Sequence, residues 1–145
     1  MNIAHSWLRR SLFGALVLAC ALVPARAQTP RYVVVTEATL RKYAVKLVLP
    51  DYPEASRQRR AKGVAVAQID VDAQGSVKQA EVLESPDALT KEAVAVAVRQ
   101  WQFKPATIGG KAVPIRGKLT FYFVIERGKG RVKHPEQFTE NESPG

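Results

Sequence analysis

Cysteine and histidine are almost missing from this 145-residue chain, which contains one Cys and two His. One thiol excludes a disulfide framework, and so few thiols and imidazoles leave no ligand spacing for a structural zinc. Long hydrophobic runs are scarce as well. The apolar stretch from Leu12 to Val23 is shorter than the roughly 20 residues that cross a bilayer comfortably. What is present looks globular: 46% hydrophobic and 24% charged residues, enough for one domain with tails.

The same scarcity limits chemistry. Beyond the first 27 residues the one imidazole is His134, so no Ser–His or Cys–His pair can form within a folded core. Asp70 and Asp72 read as solvated carboxylates on the polar face of a strand entering a turn. Gly110-Lys111 imitates the end of a phosphate-binding loop, but Pro105 stands where the first Gly belongs and Ala112 replaces the hydroxyl residue. No catalytic, cofactor-binding or metal-binding residue is assigned, and the chain reads as a non-enzyme.

Residues 1–27 read as a signal peptide. Arg9 and Arg10 close a positive region, an apolar segment follows, and Ala25-Arg26-Ala27 supplies small residues for cleavage after Ala27. Two rivals are lipidation at Cys20 and retention as an inner-membrane anchor facing the periplasm. Cleavage would remove three arginines and no acid, lowering the net charge from +9 to +6 and leaving a thiol-free exported chain.

Residues 28–49 are ambiguous. Tyr32 to Val35 favours a strand, whereas Leu40, Tyr43, Ala44 and Leu47 recur at helical spacing. From residue 50 the pattern sharpens. A short helix is expected over Pro53 to Lys62, closed by Gly63 just past its end. Ala65, Ala67, Ile69 and Val71 then share one strand face, and Asp72 to Gly75 forms a hairpin turn. The return strand changes parity after Val77, which predicts a β-bulge near Lys78 or Gln79. Asp87 caps a helix from Ala88 to about Trp101, with Leu89, Ala93, Val96, Ala97 and Trp101 on its inner face. Gly109-Gly110 turns the chain toward the clearest strand, Ile115 to Ile125. Residues 127–145 read as a charged flexible tail.

The expected fold is therefore α+β: a three-stranded antiparallel sheet over residues 50–126, with two helices packed on one face. Such a sheet has two edges with unpaired amides and carbonyls. If the last strand is an edge, an extended peptide could pair with it beside Arg116, Lys118 and Tyr122. Two basic groups complete the inventory, Arg57, Arg59, Arg60 and Lys62 on the first helix and Arg127, Lys129, Arg131 and Lys133 on the tail. Both read as solvated charge, with anionic lipid or polymer as a lesser alternative and no nucleic acid expected in an exported protein.

Tyr52-Pro53, Gly63 ten residues later, Gly75, Trp101-x-Phe103-x-Pro105 and a final aromatic strand together resemble the C-terminal domain of TonB energy transducers. The resemblance covers about residues 50–126 and implies a periplasmic protein–protein module that serves outer-membrane receptors. In that family a short receptor segment, the TonB box, adds as a strand beside the last strand. Carried over, the partner edge is Lys118, Leu119, Thr120, Phe121, Tyr122, Phe123, Val124 and Ile125, helped by Val48, Leu49, Pro50 and Asp51. Tyr52, Pro53, Gly63, Gly75, Trp101, Phe103 and Pro105 are signature residues that serve packing and turns. The edge could also pair two copies of the chain. Departures concern coupling: Leu12 to Val23 has no His, and no Pro-rich spacer lies between Pro30 and Pro50. The leading expectation is a stand-alone periplasmic domain. A membrane-anchored transducer subunit is the alternative.

Overall fold

The structure is a computed structural model and describes residues 31–137. The expected signal peptide, the cleavage point after Ala27, Cys20 and residues 138–145 of the expected tail lie outside the described residues. In chain order the elements are β1 (Val33–Val34), α1 (Glu37–Tyr43), β2 (Ala44–Lys46), α2 (Glu54–Gln58), β3 (Gly63–Val71), β4 (Val77–Glu84) and α3 (Ala88–Arg99). They are followed by β5 (Gln102–Phe103), β6 (Ala106–Ile108), β7 (Lys111–Val113), β8 (Ile115–Glu126), β9 (Lys129–Lys133) and a 3-10 turn, Pro135–Gln137.

The antiparallel trio is present, with β3 between β4 and β8. It is not the whole sheet. β1 joins β8 in parallel and β9 joins it antiparallel, so five strands form one mixed sheet, with three α-helices among the described residues rather than two. The three-stranded description is corrected accordingly. Short added strands have too little intrinsic preference to be read from period alone, because their order comes from pairing with β8. Two further ladders, β2–β5 and β6–β7, lie outside this sheet, and β6–β7 turns at Gly109-Gly110 as expected.

One sheet face builds the core. Ala65, Ala67 and Ile69 of β3 and Ile115, Leu119, Phe121 and Phe123 of β8 are buried there beneath Val94, Val98 and Trp101. The bulge expected near Lys78 is found, since Asp70 faces Gln79 and Val71 faces Val77. A second slip leaves Leu83 unpaired between Val82 and Glu84. The inner face of α3 meets expectation at Ala97 and Trp101 and is shifted by one residue over its first turns, to Thr90 and Val94. Thr90, Val94, Ala97, Val98 and Trp101 face inward, whereas Leu89 and Val96 stay 42% and 49% exposed. Thr90 tolerates burial because its amide and hydroxyl close a capping box with Asp87.

α2 stops earlier than its pattern suggests. Arg60, not Gly63, takes the left-handed position after the helix, at φ 55°. Ala61 N–H donates to the Ser56 carbonyl and Arg60 N–H to the Arg57 carbonyl, the two bonds of a Schellman ending. Close approaches require glycine elsewhere, at Gly75 and Gly117 among others. A β-carbon at Gly75 would lie 1.9 Å from the Phe103 carbonyl oxygen, and one at Gly117 would lie 2.5 Å from Leu40 Cδ1. Gly117 thus lets α1 lay Leu40, fully buried, across β8.

Candidate partner-binding site

The flank of β8 opposite β3 is the strand edge expected to receive a partner, and its own chain occupies it. At the start, Val33 N–H donates to the Pro114 carbonyl at 2.9 Å and Val35 N–H to the Arg116 carbonyl at 2.8 Å. In the middle, Glu37 of α1 substitutes for a strand. Its two carboxylate oxygens accept from Thr120 N–H and Thr120 Oγ1, each at 2.8 Å. Arg41, held by Glu37 at 2.7 Å, donates to the Thr120 carbonyl at 3.1 Å. At the end, Tyr122 to Glu126 pair in unbroken register with Lys133 to Lys129 of β9.

The reading of Lys118 to Ile125 as an open edge is therefore corrected. Leu119, Phe121 and Phe123 are core residues, and Tyr122, Phe123, Val124 and Ile125 already have strand partners. Arg127 onward, read as a flexible tail, instead makes a two-residue turn and β9. The physical reason is local: Arg127-Gly128 both take positive φ, the geometry of a tight hairpin, and Val132 packs on the core. A charged, glycine-containing stretch hides such a strand from a compositional reading.

Val48, Leu49, Pro50 and Asp51 form the second expected patch. They run along α3, where Val48, Leu49 and Asp51 line an open cleft of about 320 Å³ with Leu89, Ala93 and Val96. Pro50 is buried, and the Val48 carbonyl accepts the Trp101 indole N–H at 2.8 Å. Trp101 also meets Phe121 edge-on at 6.1 Å, which places it in the core. Phe103 is buried beside it, while Pro105 is exposed. Tyr52, next to Pro53, stands edge-on to Phe123 at 5.2 Å and donates to the Ala61 carbonyl at 2.9 Å. Burial, helped by the Asp87 charge, raises its phenol above the usual range. Gly63 opens β3 opposite Phe123.

With β8 enclosed, the strands left with one neighbour are β1, β4 and β9, and β1 is only two residues long. β4 has one strand neighbour, β3, and its outer side is broken by bulges and charged by Lys78, Glu81 and Glu84. β9 likewise has one strand neighbour, β8, but its ladder has no slip. Lys129, Gly130 and Arg131 lie at or near the surface there. Glu126, across the ladder, is held below the usual carboxylate range, chiefly by its bond to Lys133. Among the described residues no helix is long and apolar enough to cross a membrane, and no cluster of His, Cys, Asp and Glu could hold a metal ion.

The family described as Gram-negative bacterial TonB protein C-terminal matches residues 48–125. Protein TonB of Vibrio cholerae serotype O1 is 33% identical over 81 residues, which cover 54% of this chain and 33% of that protein. The matched part thus spans about a third of that relative's length. The solution structure of the Pseudomonas aeruginosa TonB C-terminal domain aligns at a TM-score of 0.50 and 28% identity, covering 58% of this chain and 86% of that one. By this family match over more than half of its length, the chain belongs to the TonB C-terminal domain family.

Proposed function

We propose that this domain is a protein-interaction module of TonB-dependent transport in the periplasm, taking up an extended segment of an outer-membrane receptor or other envelope protein as an added strand. Family membership supports the transport setting. The structure-derived observation that carries the docking mode is the asymmetry of the sheet ends. β4 is bulged, which discourages pairing, and β1 is two residues long, whereas β9 pairs without a slip and has one strand neighbour. The added strand would therefore lie outside β9, on the main chain of Gly130 and Val132, one strand beyond the position expected from sequence. In the ladder, Tyr122, Val124 and Glu126 turn their backbone groups toward β9, so Gly130 and Val132 turn theirs outward.

The test is an NMR titration of the protein with an extended TonB-box peptide. Amide shifts centred on Lys129 to Lys133 are expected. Shifts confined to β4 or to the Val48–Asp51 cleft, or none at millimolar peptide, would overturn the reading.

A further inference from the structure

We propose that the pole built by the end of α2 and the β8–β9 turn docks on an anionic bilayer, binding lipid phosphate headgroups. The two basic groups, over sixty residues apart in sequence, meet there. Arg57, Arg60 and Lys62 line an open cleft of about 460 Å³ together with Ile125 and Gly128. A neighbouring depression of about 530 Å³ is lined by Glu126, Arg127, Lys129 and Arg131. Arg57 is paired with Glu54, and Arg131 lies 3.6 Å from Glu126. Six cations thus face two carboxylates, a net of +4. Arg60, Lys62, Arg127 and Lys129 are exposed and make no ion pair among the described residues.

The backbone gives an independent reason to look here. Arg60 and Arg127 are the two non-glycine residues with positive φ among the described residues, at 55° and 49°. Both positions favour another residue: glycine after a helix, asparagine or glycine in a two-residue hairpin turn. The fold thus holds two arginines at one pole in conformations that disfavour them. Backbone outliers of this kind concentrate at functional sites.

The surroundings favour a bilayer over a single small anion or an acidic chain. The cations are spread over two depressions rather than gathered in one, and nothing lies within 4 Å of where a Gly128 β-carbon would be, so the turn projects. A third depression, of about 300 Å³, adjoins Lys62 and is lined by Val64, Tyr122, Val124 and Ile125, with Val64 38% exposed. Aliphatic surface beside long basic side chains matches the boundary between headgroups and acyl chains, where Lys and Arg stems lie on apolar surface and their charges reach phosphate.

The experiment is co-sedimentation of the full chain with phosphatidylglycerol-containing vesicles and with pure phosphatidylcholine vesicles. The test variant combines Arg60→Gly, Lys62→Gln and Arg127→Asn, changes that suit the two turns. A control variant, Lys91→Gln, Arg99→Gln and Lys111→Gln, loses the same charge elsewhere. The pole variant should lose at least about tenfold in partitioning to the anionic vesicles, given about fivefold per cation near such a surface. Its binding to phosphatidylcholine and its melting temperature should not fall. The control should lose much less, and added salt should weaken the native protein's anionic binding. Equal losses for both variants, or an unchanged pole variant, would overturn the proposal. So would loss of binding to soluble polyglutamate or duplex DNA with vesicle binding intact, which would make the pole a site for that polymer.

Discussion

Gly130 of β9 lies flat against the ring of Tyr52: a β-carbon there would come within 2.6 Å of Cδ1 and 3.0 Å of Cγ and Cε1. The same ring stands edge-on to Phe123 and is tied by its hydroxyl to Ala61. The signature tyrosine is thereby the floor on which the last strand rests.

Gly130→Ala should therefore loosen β9 specifically. Overpacking of this kind costs about 1–3 kcal/mol. Urea unfolding should register the loss, and amide exchange should accelerate across Tyr122 to Glu126, whose ladder depends on β9. Unchanged exchange there would contradict the docking role of the Tyr52 ring.

Asp70, expected on a solvated face, is 3% exposed and receives two bonds from Arg116, at 2.5 and 2.6 Å. Arg116 in turn lies over the Tyr32 ring at 4.7 Å. The partners are unequally covered, so truncating them should be unequal. Arg116→Ala strands a buried carboxylate and should cost about 2–3 kcal/mol. Asp70→Asn leaves a guanidinium that solvent reaches and should cost about 1 kcal/mol. Chemical denaturation of both variants checks the order.

Asp87 links stability to pH. Burial by itself would raise its carboxyl, but the bond from Thr90 N–H, with those from the Thr90 hydroxyl and Arg59, outweighs it and holds the group well below the usual range. A depressed folded-state pKa contributes stability above the unfolded value, about 3.9, and loses it as pH falls further. Thermal melts should therefore drop steadily below about pH 4. Asp87→Ala should lower stability at neutral pH by about 1 kcal/mol and flatten that acid slope.

Arg60→Gly and Arg127→Asn should each leave stability unchanged or raise it by up to about 1 kcal/mol, because the left-handed conformation disfavours ordinary side chains. Calorimetry of the single variants measures this. A clear loss at either site would mean that the arginine side chain makes a stabilising contact.

The parts legible in the sequence were those whose residues alternate or recur over many positions. β3, β4 with its bulge at Lys78, α3 and β8 all carry such a period, and long periodic segments bury a whole face whatever their neighbours do. α3 shows the limit of that reading. Its inner face was displaced by one residue over its first turns, because the Asp87–Thr90 capping box makes a polar threonine acceptable in the core. β9, five residues long, was not legible, and β1 and α1, two and seven residues long, showed only as competing strand and helical tendencies over Tyr32 to Leu47. A signal for β9 did exist: Arg127-Gly128, a turn dipeptide, sits directly between Ile125-Glu126 and Lys129 to Val132. Basic composition obscured it.

The candidate edge shows the same division. Sequence alone determined that residues 63–126 contain a helix and three strands with an apolar inner face, because alternation and helical recurrence are properties of the chain itself. Tertiary structure decided which strand would be left at the margin. Glu37 reaches Thr120 across 83 positions, and Gly130 reaches Tyr52 across 78, through hydrogen bonds and close contacts that no local pattern encodes. Whether a strand has an open side depends on every other segment that could satisfy its backbone groups, and that competition is settled only in the folded chain.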